Sequence, residues 1–262
     1  MIQLESVNRP KSLRRIGSPA PNAPWLLAAL LCVACSARTP ASTPTGDSSA
    51  TANRTASIQT AGIQRADGTE VPNLADVKAE ILEFHESGEW ESQVDEVSAR
   101  ARARLDEELE TATRPAIVLD IDDTALSTFA VQRSLGFGWV PDEWDEWVRT
   151  ANAPAHRGVL ELYRHAIRNG VAVFFVTGRR EHLRASTERQ LRDAGYGRWV
   201  KLHMKPDDYD KSSVIPYKVA ERRSIEEQGF EILVNVGDQW SDLDGGRARA
   251  TFKLPNPVYH RP

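Results

Sequence analysis

Short apolar runs, separated by segments of helical period, constrain this chain more than any other feature. Pro115-Ala116-Ile117-Val118-Leu119 and Val171-Ala172-Val173-Phe174-Phe175-Val176 are continuously apolar. Continuous runs, unlike alternating ones, mark strands covered on both faces. Trp199–Met204, Glu231–Val236 and Ala250–Leu254 extend the series. Between them, the spacing predicts helices over Gly158–Arg168, closed by Asn169-Gly170, over Glu181–Ala194, ended by Gly195, and over Tyr217–Gln228, ended by Gly229. Strands alternating with helices call for an α/β fold, a doubly wound parallel sheet with helices on both sides.

Two helices are expected ahead of the first strand, within 71–114. Asn73 stands where a cap would, and Leu74, Val77, Ile81 and Phe84 follow at helical spacing. After Ser87-Gly88, Trp90, Val94, Val97, Ala101 and Leu105 fall on one face. The segment 127–155 breaks the rhythm with Phe129, Phe137, Trp139, Trp144 and Trp147 among glycines and prolines. An insertion after the first parallel strand lies at the carboxyl ends of the strands, where such folds bind ligands. It is expected to form a small, mainly helical cap, its aromatics serving either as a satellite core or as walls of a pocket.

The chemistry concentrates where the first strand ends. Asp120-Ile121-Asp122-Asp123-Thr124 places three acids within four residues, and crowded carboxylates repel unless a proton or cation is shared. A hard divalent ion with oxygen ligands relieves this. Three further positions obey the same rule of lying near a strand end. Thr177-Gly178-Arg179 follows the second run and offers a hydroxyl and backbone donors to an anion. Gly237-Asp238 follows the fourth, with Asp242 four residues on, and Lys218 opens the preceding helix. Each is commonplace alone, but together they converge on one edge of the sheet.

Composition narrows the partners. With 33 Lys and Arg against 37 Asp and Glu, the net charge is −4 and the signs are interspersed, so no nucleic-acid polymer is expected as a partner. Cys32 and Cys35 are the two cysteines, which leaves no disulfide framework for the folded part. They belong to a leader: Lys11, Arg14 and Arg15 precede the apolar run from Trp25 to Ala34, the layout of an export signal. Residues 1–35 are therefore read as a signal peptide. Ala34-Cys35 resembles a bacterial lipoprotein processing site, which implies acylation of Cys35, a membrane lipid anchor and a place at the bacterial cell envelope. An ordinary cleaved signal, giving a secreted or periplasmic soluble protein, and an uncleaved anchor are the alternatives. Residues 36–70, rich in Ser, Thr, Ala and Pro at their start, read as a disordered tether; 71–262 read as the folded domain.

Taken in order, Asp120-x-Asp122-x-Thr124, Thr177-Gly178-Arg179, Lys218 and Gly237-Asp238-x-x-x-Asp242 resemble the four motifs of haloacid dehalogenase superfamily phosphatases. Gly237–Leu243, Phe252–Pro257, and Phe137-Gly138 followed by Trp144-x-x-Trp147-Val148 are similar to plant members of subfamily IIIB, the acid phosphatases that include class C bacterial lipoprotein enzymes and plant vegetative storage proteins. The resemblance implies a Rossmann-like, haloacid dehalogenase-like sheet and hydrolysis of small phosphomonoesters through an aspartyl phosphate on Asp120. It implies Asp122 as general acid and base. Mg2+ is then held by Asp120, the backbone carbonyl of Asp122, and Asp238, with Thr177, Gly178, Lys218 and Arg179 around the phosphate. Thr124 supports the site, and Asp242 orients Lys218 or a metal-bound water. A protonated Asp122 would bring an acidic optimum. Phosphotransfer to an alcohol by the same chemistry, and a non-catalytic tethered storage or binding protein, are the competing readings.

Overall fold

A computed structural model describes residues 64–261. The leader, Cys35 and the tether as far as residue 63 lie outside the described residues. Within the expected tether, 64–70 is a short turn: Gln64 and Glu70 bridge antiparallel, and Asp67 accepts from the Thr69 N–H at 2.9 Å.

Five strands, β1 (Pro115–Leu119), β2 (Ala172–Arg180), β3 (Lys201–Lys205), β4 (Glu231–Gly237) and β5 (Ala250–Lys253), form one sheet. All pairings are parallel and the order is β3-β2-β1-β4-β5. The chain runs outward from β1 to β3 and then returns to the other side of β1. The direction of winding therefore reverses between β1 and β4, the crevice in which open α/β sheets bind ligands.

The sheet's two faces bury separate clusters. Ile117 and Leu119 point into the larger one with Trp90, Val94, Val97, Ala101 and Leu105. These five come from α2 (Glu89–Leu109) and are the stripe its spacing anticipates. Ala116, Val118, Phe174 and Val176 face the smaller cluster, so adjacent residues of one apolar run are used on opposite sides. On this side lies α7 (Ile215–Glu227), whose Tyr217 and Ile225 belong to the cluster. The helix α5 (Arg157–Arg168) packs against α2 with an almost bare crossing. A Cβ on Gly158 would come within 2.8 Å of the Asp95 Cα.

Helix α1 (Leu74–Glu86) begins at Asn73, whose Oδ1 accepts the Ala75 N–H at 2.9 Å. It has no buried residue, and Leu74 is 65% exposed, although its apolar positions recur at helical spacing. Ile81 and Phe84 only lean on the main cluster.

The segment 127–155 is helical, with α3 (Phe129–Ser134) and α4 (Pro141–Thr150). Strand β2 runs longer than its apolar run, and the register with β3 slips between Thr177 and Arg180. The expected helix after it divides into a single 3-10 turn, Glu181–Leu183, and α6 (Arg184–Asp193). A four-residue helix, α8 (Trp240–Leu243), follows β4; its length hides it from any periodicity.

Candidate active site

Asp120 leaves the carboxyl end of β1 with its N–H still in the sheet, donating to the Val236 carbonyl of β4 at 3.0 Å. Asp238 leaves the end of β4 on the other side of the switch point. Carboxylate oxygens of Asp120, Asp238 and Asp242 all lie within 4.8 Å of one another, and all three residues are buried.

Lys218 reaches into this group from the first turn of α7. Its Nζ donates to Asp120 Oδ1 at 2.6 Å and to Asp242 Oδ1. Burial disfavours its charge, but the Asp120 and Asp242 carboxylates outweigh that and hold the ammonium above the ordinary lysine range.

Two of the three carboxylates, Asp120 and Asp242, thus share one buried ammonium. Burial, and then the nearby Asp242 charge, push Asp120 up to about 8, with Lys218 opposing. Burial followed by Asp242 and Asp120 also raise Asp238 well above the usual carboxylate range. The partners of Asp238 are neutral: Thr124 Oγ1 at 3.3 Å, Gln239 Nε2 at 2.7 Å and Asn256 Nδ2 at 2.6 Å. The site has more negative charge than its own cations balance, and its donors are carboxylate oxygens. This set fits a hard divalent cation.

The loop between β4 and α8 is held by close approach. A Cβ on Gly237 would meet the Asp242 Cβ at 2.3 Å, so the turn that brings Asp242 beside Asp238 needs glycine. Asp242 Oδ2 accepts the Gln239 N–H at 2.9 Å and closes a reciprocal cap on α8. Its carbonyl accepts from the buried Arg222 guanidinium and from Asn235 Nδ2 at 2.9 Å.

The other expected site residues divide. Thr177 is buried, and its Oγ1 accepts the Arg179 N–H at 3.1 Å, which leaves its own O–H free to donate into the site. Gly178 lines the cavity. Arg179, expected beside the phosphate, is turned onto Asp122: Nε and Nη2 donate to Asp122 Oδ1 at 2.9 and 2.6 Å. Its Nη1 is taken by Gln190 Oε1 at 2.7 Å and Thr187 Oγ1 at 3.2 Å. With its donors so committed, Arg179 positions Asp122. The Asp122 side chain accordingly stands outside the carboxylate cluster, and Asp242 takes the third place. The third acid of the motif, Asp123, is structural. It sits at φ 52°, and its carboxylate is spent on the N–H and hydroxyl of Thr128 at 2.8 and 2.6 Å.

Spacing did not single out Gln239 and Asn256 as site residues. Their signal lay in the stretches Gly237–Leu243 and Phe252–Pro257, which resemblance had marked. Buried Arg222 had no signal: one arginine in a charged helix looks solvated.

A family model described as HAD superfamily, subfamily IIIB (acid phosphatase) matches residues 41–262. The chain belongs to this subfamily. Among curated relatives of this subfamily IIIB chain, the stem 28 kDa glycoprotein of Glycine max is 38% identical over 58% of the chain and 63% of its own length. Acid phosphatase 1 of Solanum lycopersicum is 37% identical over 56% and 58%, respectively. Vegetative storage protein 1 of Arabidopsis thaliana is 31% identical over 55% of each. The chain thus spans less than two thirds of the length of each of these relatives. The class C acid phosphatase from Bacillus anthracis shares the fold, with a TM-score of 0.60 at 23% identity over 71% of this chain and 86% of the other.

In this subfamily IIIB fold the carboxylates open into a cavity of about 780 Å3 under the cap. The cap's aromatics split between the two expected uses. Phe129 is core, stacked on His85 at 3.5 Å and edge-on to Trp90 at 5.6 Å. Trp144 and the 49% exposed Trp139 line the cavity.

A histidine fastens cap to sheet. His182 Nε2 lies 2.7 Å from Asp145 Oδ2 of α4, and its Nδ1 lies 2.6 Å from Asp207 Oδ1 beyond β3. Carboxylates only accept, so both ring nitrogens donate and the ring is an imidazolium. The Asp145 and then the Asp207 hydrogen bonds raise His182 above its ordinary 6.5, while the His182 bond lowers Asp207 below 3.8. The histidine's contribution to stability is complete below about 6.5 and fades as pH rises through its raised value. The aspartate's is present above about 3.8 and is lost as pH falls through its lowered value. The thermal midpoint of the unmodified chain should therefore exceed that of His182→Gln most between pH 4 and 6.5, with the gap closing on the alkaline side. A gap constant from pH 5 to 9 would show that the latch does not titrate.

Proposed function

We propose that this chain is an acid phosphatase that hydrolyses small phosphomonoesters, with Asp120 as the nucleophile and Mg2+ as cofactor. The observation that carries the reading is the buried convergence of Asp120, Asp238, Asp242 and Lys218 at the sheet's switch point, open to a cavity. Asp120 and Asp238, with the backbone carbonyl of Asp122, would hold the ion. The metal would supply charge neutralisation between an anionic nucleophile and an anionic substrate.

The chain's own residues account for the remaining steps. Lys218, fixed by Asp242, keeps Asp120 Oδ1 at the mouth of the site and faces the phosphoryl oxygens as a point charge. The Thr177 hydroxyl donates to a phosphoryl oxygen. Attack by Asp120 on phosphorus gives an aspartyl phosphate and divides one difficult hydrolysis into two easier steps. Asp122, steered by Arg179, gives its proton to the leaving oxygen and then takes one from the attacking water. The Asn256 and Gln239 amides keep Asp238 turned inward.

The test is phosphate release from 4-nitrophenyl phosphate by the full chain before and after chelation. Chelation is expected to lower the rate at least about 100-fold, and Mg2+ to restore it. Mg2+ at 100 times its Kd is also expected to stabilise the chelated protein by about 2.7 kcal/mol, which thermal unfolding reads independently of activity. Full activity in excess chelator would refute the cofactor. Added alcohols separate hydrolysis from transfer, because a transferase would leave an alkyl phosphate among the products.

Export and a lipid anchor on Cys35 complete the proposal, supported by the basic residues and apolar run of the leader. No described helix is long and apolar enough to cross a membrane. Fatty-acid labelling that is lost in Cys35→Ser tests the anchor.

A further inference from the structure

The cavity wall carries more positive charge than its own carboxylates use, and the excess lies away from the nucleophile. Each acid of the wall is committed elsewhere. Asp120 and Asp242 hold Lys218, Asp122 holds Arg179, Asp145 holds His182 and Arg149, and Asp238 faces the cation site. By contrast, Arg180, Lys205 and Arg261 line the same cavity and, among the described residues, none is paired with a carboxylate. Among the described residues the half-buried Lys205 ammonium has no hydrogen-bond acceptor; it lies 5.9 Å from the centre of the Tyr209 ring. Arg180 donates to the Pro206 carbonyl at 3.4 Å and to that of Asp207, while the Asp207 carboxylate serves His182. Arg261 lies over the exposed Trp139 ring at 4.4 Å.

Like charges gather unpaired at a cavity wall when a ligand completes them. Burial, followed by repulsion from Arg180, Arg261 and Lys218, lowers Lys205 below the ordinary lysine range, so the cluster is destabilised without an anion. Topology sets its distance from the reaction. Lys205 ends β3 and Asp120 follows β1, with β2 between them, so two strand spacings, about 10 Å, separate the two positions. A carboxylate brings one charge to three cations; a second phosphate brings close to two and has acceptors enough for a lysine and two arginines.

Resting on the phosphatase reading above, we infer that Lys205, Arg180 and Arg261 form a second phosphate subsite, and that the preferred substrates are small bisphosphates whose two phosphates stand about two strand spacings apart. One phosphate meets Asp120 and Lys218. The other, on the leaving group, meets Lys205 and the two arginines.

The test compares full-chain kcat/KM for fructose 1,6-bisphosphate, fructose 6-phosphate and 4-nitrophenyl phosphate. The bisphosphate is expected to lead the sugar monophosphate by at least about tenfold, and Lys205→Gln to remove most of that lead through KM, as loss of a charge-assisted contact does. Lys205→Gln should leave 4-nitrophenyl phosphate turnover within about twofold, because that substrate has no second anion. Arg261→Gln, at an exposed position, should act in the same direction and guards against misfolding. A lead below twofold in the unmodified chain, or equal losses on all three substrates, overturns the subsite while leaving the phosphatase standing. Should no substrate be turned over, calorimetric titration of the bisphosphate into Asp120→Asn decides. Binding that weakens on adding Lys205→Gln keeps the subsite and removes the hydrolytic reading, and binding that does not weaken removes the subsite.

Discussion

Asp120→Asn is expected to lower kcat by at least about 10⁴-fold while leaving the thermal midpoint equal to or above that of the unmodified chain. The two effects have separate causes. A carboxamide is too poor a nucleophile to form the phosphoryl bond, so the first chemical step is lost. The shape is kept, however, and the amide oxygen still accepts from Lys218 Nζ, now 2.6 Å from Asp120 Oδ1. The amide N–H groups face Asp238 and Asp242, whose oxygens lie within 4.8 Å, so one of three mutually repelling buried carboxylates becomes a donor. Burial first, and then that repulsion, raise Asp120 and Asp238 in the unmodified chain; a neutral amide is relieved of both, which offsets any lost attraction to the ammonium. Phosphate release from freshly purified protein, with mass spectrometry to exclude deamidation back to aspartate, reads the first effect; thermal unfolding reads the second. Near-normal turnover in verified asparagine protein would end the assignment of Asp120.

Lys218→Met is expected to cost both stability and rate. The ammonium is the cation that Asp120 and Asp242 share, and breaking a buried pair by deleting one partner typically costs about 3–5 kcal/mol. For a domain of this size that is a fall of roughly 6–20 °C in the thermal midpoint. The loss depends on pH with a definite sign. Without Lys218, the carboxylates are pushed further toward their protonated forms. Protons can then neutralise them in acid, and the penalty grows as pH rises. The deficit should be larger at pH 8 than at pH 5. The rate should fall about 10³-fold, the scale for removing one preorganised charge stabiliser. A deficit under 1 kcal/mol at pH 8 would show that Lys218 is not what keeps this cluster ionised.

The chain's own pattern foretold much of this arrangement, for identifiable reasons. Residues 115–119 had to be a buried parallel strand because both Ile117 and Val118 need cover, and they receive it from opposite faces. Acids past such a strand had to lie at the carboxyl end of the sheet, which is where Asp120 stands. The stripe Trp90, Val94, Val97, Ala101 and Leu105 was legible because a 3.6-residue period repeats often enough over 21 residues to be counted. In α1 the same period is present but Leu74 faces solvent; spacing gives a face, and only a neighbour makes it a core. Four-residue α8 is too short to show any period.

Side-chain pairing was out of reach by nature. Arg179 beside Thr177 and Gly178 reads as an anion binder, yet its donors are claimed by Asp122, Thr187 and Gln190, the last two from a helix whose rotation no spacing reveals. Asp123 and Asp122 are chemically identical in the string. A left-handed φ of 52° sends one to Thr128, and an arginine 57 residues away receives the other.

From its letters alone this protein determined a parallel α/β sheet, an insertion over its carboxyl end and a concentration of acids past its strand ends. Those follow from local apolar period and from chain direction, both written residue by residue. Which carboxylate meets which cation, and which cations are left without one, was decided only by tertiary structure. Such charges act across space at a few ångströms, between residues that the chain itself keeps 24 to 98 positions apart.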